Sequence, residues 1–246
     1  LVTNTQQNKE KSEILMKKLL ISLAAALICT ATASAQMFTL RVEAGPEFAF
    51  SSLATHGVKV LSGGTKVGYH VGAYADIPLY KGLYASTGLS FEMKGAKGKV
   101  KEDSSLIGQL GSLINKNTQN EITMHYLQIP VNIGYRLSLT PSLSLAAQTG
   151  PYFAVALAGS QSSGIKGAIT SFNIFKEGIL GLGKASRFDV GWGASAMLYF
   201  GNIYGTVGAD FGFLNVAQTD AKSIASQLKD LSLKNSTAYI GLGYCF

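Results

Sequence analysis

Apolar and polar residues alternate with a period of two along eight stretches of the chain, the signature of strands with one hydrophobic face. Residues 38–50 set Leu40, Val42, Ala44, Phe48 and Phe50 against Arg41, Glu43, Gly45 and Glu47. Residues 65–79 put Val67, Tyr69, Val71, Ala73, Ala75 and Ile77 opposite Gly68, His70, Gly72, Tyr74 and Asp76. In 83–94, Leu89, Phe91 and Met93 oppose Ser90, Glu92 and Lys94, and in 121–137 every second residue from Leu127 to Leu137 is apolar. Four more alternating stretches follow at 143–158, 186–200, 203–216 and 236–246.

The connections run long, short, long, short, long, short, long. Short ones at 78–82, 138–142 and 201–202 carry Pro, Gly or Asn, the residues of tight turns. The long ones are 51–64, 95–120, 159–185 and 217–235. Within 95–120, Leu106, Ile107, Leu110, Leu113 and Ile114 follow helical spacing behind Asp103 and Ser104, which predicts a short amphipathic helix. Ile224, Leu228 and Leu231 repeat that spacing behind Asp220. Residues 159–185 hold Ile169, Phe172, Ile174, Phe175, Ile179 and Leu180, apolar content that predicts packing onto a neighbouring surface or partner.

Periodicity does not say which face points inward, but lysine does. Lys59, Lys97, Lys99, Lys101, Lys116, Lys166, Lys176, Lys184, Lys222, Lys229 and Lys234 lie in the long connections, Lys81 in a turn, and Lys66 and Lys94 at strand ends. A water-washed sheet would carry lysine in mid-strand. The apolar face is therefore expected to meet lipid, and the polar face a lumen. This predicts an all-β fold, an eight-stranded antiparallel up-and-down transmembrane β-barrel with short periplasmic turns and long outer loops. Arg41, Glu43, Glu47, Asp76, Glu92, Arg136, Arg187, Asp189 and Asp210 are expected to form a matched charge network in that lumen, because isolated buried charges are costly. Eight strands leave an interior that side chains nearly fill, so no wide pore is expected.

The ends refine this picture. Residues 1–15 read as an upstream extension before a start at Met16, Lys17-Lys18 as a charged n-region and 19–28 as an apolar h-region too short to span a bilayer. Ala33-Ser34-Ala35 supplies a cleavage site, giving 1–35 as extension and signal peptide and 36–246 as the barrel domain. Cys29 follows Ile28, where a lipoprotein signal needs a small residue. Beyond the signal only Cys245 remains, so no internal disulfide or paired-cysteine metal site is expected. Charged residues make up 14% and Gly numbers 28, and no apolar run after the signal reaches helix-spanning length. The last strand ends Tyr239-x-Gly241-x-x-Tyr244-x-Phe246, which resembles the C-terminal assembly signal of bacterial outer-membrane barrels.

The signal peptide, the segment 126–137, Gly150-Pro151-Tyr152 and that terminal motif together resemble the porin-family outer-membrane-protein β-barrel domains of Bacteroidetes-type bacteria. The resemblance covers essentially the whole chain after the signal. It implies an outer-membrane location, recognition by the barrel-assembly machinery, and no catalytic residue that can be carried over.

Candidate chemistry is sparse. His125 sits on the apolar face near the outer rim, where a lipid hydrolase could place a catalytic set, but no matching Ser and acid are evident. His70 faces the lumen, as a hydrogen-bonding partner for Tyr or Asp rather than a metal ligand. Gly63-Gly64 and Gly178, Gly181 and Gly183 lack the Lys-Ser/Thr of a phosphate loop. No catalytic, cofactor or metal residues are expected. The lysine-rich loops are either solubilising or a basic rim for lipopolysaccharide phosphates, an acidic glycan or a protein partner; nucleic acid is not expected. The reading that follows is a structural or surface-binding barrel without turnover. A narrow channel or carrier for small solutes, or a lipid-modifying enzyme, are the alternatives.

Overall fold

A computed structural model describes residues 38–50, 52–55, 58–100, 120–165, 168–175, 186–216 and 232–246. They form twelve strands: β1 (Thr39–Ala49), β2 (Ser52–Thr55), β3 (Val58–Gly64), β4 (Lys66–Tyr80), β5 (Leu83–Val100), β6 (Asn120–Ser138), β7 (Leu143–Ile165), β8 (Ala168–Asn173), β9 (Phe188–Phe200), β10 (Ile203–Gly212), β11 (Ser232–Lys234) and β12 (Ser236–Cys245). Eight of these, β1, β4, β5, β6, β7, β9, β10 and β12, pair in that order with antiparallel ladders. The first and last close the ring, with Arg41 opposite Cys245 and Glu47 opposite Tyr239. No sheet edge is left along the barrel wall, which is what lipid demands of backbone polar groups.

Alternation sorts the residues as expected. Val71, Ile77, Leu89, Val131, Leu145, Phe153, Leu198, Val207, Ile240 and Leu242 all point outward and are exposed, an outward apolar band. Aromatics edge it at both ends. Tyr80, Tyr135, Phe200, Tyr244 and Phe246 mark the end with the tight turns; Phe50, Tyr69, Phe188 and Phe213 mark the other. Lys81-Gly82 and Gly201-Asn202 turn the chain between β4 and β5 and between β9 and β10, with φ of 41°, 89° and 60° at Lys81, Gly82 and Gly201.

Four short strands extend the wall beyond the band at the end with the long connections. β3 pairs with the last residues of β5, β2 with β3, β11 with β2, and β8 folds back on the end of β7. The stretch 159–185 is thus not simply a loop: β7 runs on to Ile165 and returns as β8. The described residues contain no helix. The helix expected near Leu106–Ile114, the helical spacing at Ile224, Leu228 and Leu231, the residues Ile179 and Leu180, and the signal peptide all lie outside the described residues.

The inside of the barrel is fitted by pairing rings with bare backbone. Tyr84 lies opposite Gly134, Tyr204 opposite Gly243, Tyr239 opposite Gly208, and Tyr152 opposite Gly191. In each pair the tyrosine ring occupies the space that a Cβ on the glycine would need. The Gly-and-Tyr composition of the polar face is therefore a packing device that lets flat rings lie against the opposite strand.

Candidate functional site

The barrel interior holds charged side chains in layers. Nearest the tight turns, fully buried Arg41 of β1 pairs with Asp76 of β4 at 2.7 Å and lies 3.7 Å from Glu43. Its guanidinium also donates to the Ser86 hydroxyl at 3.2 Å and the Gln148 carbonyl at 3.4 Å, and stacks near the Tyr74 and Tyr204 rings. Arg136 of β6 shares Asp76 at 3.3 Å and lies 4.2 Å from the centre of the Tyr199 ring. Tyr204 donates to Glu43 at 2.9 Å, and His70 Nε2 lies 3.4 Å from the other Glu43 oxygen.

A second layer centres on Lys94 of β5. Its ammonium lies 2.8 Å from Glu92 and 3.7 Å from Asp210, donates to Gln128 at 2.7 Å, and faces the Tyr152 ring at 4.5 Å. Gln128 in turn donates to Asp210 at 2.8 Å. Asn235, just before β12, donates to Asp189 at 2.8 Å and to the Tyr126 hydroxyl at 3.3 Å. Glu47 is buried beside this layer on β1. A chamber of about 30 Å³ lined by Glu43, His70, Glu92, Gln128 and Asp210 separates the two layers. That volume has room for a water or two. Buried Tyr84, Met197, Tyr199, Tyr204 and Cys245 cluster together, and Ile122, Met124 and Ile174 are buried toward the end with the long connections.

The structure redistributes two of the sequence expectations. Lys94 is not at a strand end: β5 continues to Val100, and Lys94 is a wholly buried interior cation that no reading of lysine avoidance would place there. Arg187 is not in the lumen. It precedes β9, is exposed, and donates to the carbonyls of Ala156 and Leu157 while its guanidinium lies 4.2 Å from the centre of the Phe175 ring. Those carbonyls adjoin the irregularity where β7 slips its register against β6 opposite His125 and Tyr126, and they draw the arginine outward. The interior places Arg41, Glu43, Glu47, Asp76, Glu92, Asp189 and Asp210 together, with Arg136 partly exposed at the margin. Lys94, Gln128 and Asn235 join them; Lys94 and Gln128 share the alternation that marks the others, and Asn235 has no such signal.

The terminal motif divides between faces. Tyr239 turns inward against the His70 ring at 4.8 Å, and Gly241 passes close to Thr206 and His70. Tyr244 and Phe246 turn outward and meet edge to face at 5.0 Å. The Phe246 amide donates to the Leu40 carbonyl at 2.9 Å, extending the closing ladder by one residue. Ile174, from the apolar stretch after β8, is buried and packs with Phe175 against Gly159 of β7.

His125 lies on the outward face, its ring stacked on Phe91 at 5.9 Å with 7° between planes, and tilted to Tyr69 at 6.3 Å. Above this shelf, Lys66 is paired with Glu121, and Lys97 approaches the same carboxylate at 3.9 Å.

A family model described as "Outer membrane protein beta-barrel domain" matches residues 32–218. Among solved structures, the chain is similar to a major outer membrane protein from Thermus thermophilus, at 13% identity and a TM-score of 0.46, covering 85% of this chain and 99% of that one. It is similar to the outer membrane protein OprG from Pseudomonas aeruginosa at 12% identity and a TM-score of 0.42, covering 85% and 96%. It is also similar to Ail, the attachment invasion locus protein of Yersinia pestis, in complex with the heparin analogue sucrose octasulfate, at 13% identity and a TM-score of 0.39, covering 86% and 100%. No curated protein matches the chain.

Proposed function

We propose a role from the premise that this chain belongs to the outer membrane protein β-barrel domain family and lies in the outer membrane: it is a non-conducting, structural and surface-binding barrel without turnover. The observation that carries this reading is the filled interior. Arg41, Lys94, Tyr126, Tyr152 and Tyr204 are fully buried across the lumen, and among the described residues the charged layers leave a chamber of only about 30 Å³ between them. A solute path would require separating buried ion pairs, and buried charges left uncompensated are costly. Function is then left to the end with the long connections, whose lysines supply a basic surface for acidic glycans or lipid phosphates. Insertion would be through the barrel-assembly machinery, with Tyr244 and Phe246 as the outward end of its signal.

Planar bilayers test the reading directly. Purified barrel is expected to give no discrete conductance steps, while binding soluble acidic glycans in a salt-sensitive way. Regular channel openings at neutral pH would replace it with the narrow-channel reading.

A further inference from the structure

We propose that the outward faces of β4, β5 and β6, where they leave the apolar band, bind the phosphorylated sugar headgroup of an outer-leaflet glycolipid. This rests on the surface-binding reading above and names one site for it. The outward positions of β6 are apolar from Leu137 up to Leu127, and the next three are His125, Thr123 and Glu121; on β5 the apolar run ends at Met93, with Gly95 and then Lys97 beyond it. Met93 pairs with His125 and Lys97 with Glu121, so both strands change from apolar to polar at one level. The edge of the hydrocarbon lies there.

At that level three rings on three adjacent strands make a continuous shelf. Tyr69 of β4 lies 6.1 Å from Phe91 of β5, which stacks on His125 of β6. Such a shelf fits the apolar face of a sugar ring. A little higher, Glu121 is shared by buried Lys66 and by Lys97. Two ammonium groups on one carboxylate leave a net positive charge. Lys97 is the free arm: its side chain is 41% exposed and its contact with Glu121 is a loose 3.9 Å. A phosphate is a stronger partner for it, through a shorter charge-assisted hydrogen bond. Rings at the band edge and an exposed cation just above them match a sugar whose phosphate points away from its acyl chains.

The test uses the full barrel in nanodiscs, with bound lipid counted by native mass spectrometry. The probes are phosphorylated lipid A and its dephosphorylated form. Wild type is expected to retain phosphorylated lipid A, with Lys97→Ala losing retention by about tenfold. Tyr69→Ala should weaken both forms, because it removes the shelf and not the charge. Lys81→Ala, in a turn at the opposite end, is the control. Heat-modifiability in detergent gels first establishes that each variant is folded. Equal retention of the two lipids by wild type, or unchanged retention by Lys97→Ala, overturns the site; so does displacement of lipid A by millimolar inorganic phosphate, which would make it a site for the free anion. Soluble-glycan binding that survives in those cases leaves the broader surface-binding reading standing, and its loss in wild type would remove that reading instead.

Discussion

At the scale of single residues, the interior is held by two kinds of fit, ion pairs and rings seated on glycine. Replacing Arg41 with Leu leaves buried Asp76 only the longer 3.3 Å contact of Arg136 and takes the guanidinium from Glu43, and is expected to lower stability by about 3 kcal/mol. Arg187→Leu removes an exposed cap on two carbonyls and should shift the urea midpoint far less. Equal shifts for the two variants would mean that the buried network is not what holds the sheet. Gly243→Val forces the Tyr204 ring off its seat, an overpacking cost of about 1–3 kcal/mol; an unaltered midpoint would show that the ring is free to move. Most of this network was legible in the sequence, because Arg41, Glu43 and Asp76 share the parity of Gly and Tyr. Lys94 obeys the same parity, yet a lysine near an apparent strand end reads as a solvent residue until its carboxylate partners on β5 and β10 are known. Arg187 shows the converse failure. Its parity is inward and its carbonyl still accepts from the Ala156 amide at 2.7 Å, but its guanidinium turns to the Ala156 and Leu157 carbonyls where β7 slips its register.

Among the elements, the closing pair carries the clearest consequence. Phe246 adds a backbone bond to β1 and an outward ring beside Tyr244. Deleting it is expected to reduce the heat-modifiable fraction in outer-membrane preparations more than Phe213→Ala does, since Phe213 is an exposed ring away from that closing pair. Matching yields for the deletion and wild type would remove the terminal residue from assembly. Gly82 offers a second test. With φ of 89° and the Arg136 carbonyl where a Cβ would go, Gly82→Ala should cost about 1–2 kcal/mol, seen as a lower unfolding midpoint. Strand positions were readable because lipid enforces a strict alternation. Where the sheet rises beyond lipid that constraint lapses. Residues 159–165, Gly-Ser-Gln-Ser-Ser-Gly-Ile, carry loop composition, yet they continue β7 because β6 and β8 supply ladder partners on both sides.

For the molecule as a whole, closure makes one shared prediction. Amides of β1 and β12 should exchange hydrogen as slowly as those of β4 and β5, since no member of the ring is an edge. Fast exchange confined to β12 would describe an open sheet. The closed topology was legible from the even strand count and the alternating connection lengths; the unequal heights of the wall were not, because they depend on pairings among polar residues. β5, β6 and β7 run to 18, 19 and 23 residues, whereas β10 and β12 have 10 each. A cylinder of even height would present the same profile from every compass direction in the membrane. Among the described residues, this one stands taller on one side than on the other. Among the described residues, a large molecule arriving laterally meets a taller wall over β5 to β7 than over β9, β10 and β12, so neighbours crowded against it are sorted by bearing as well as by chemistry.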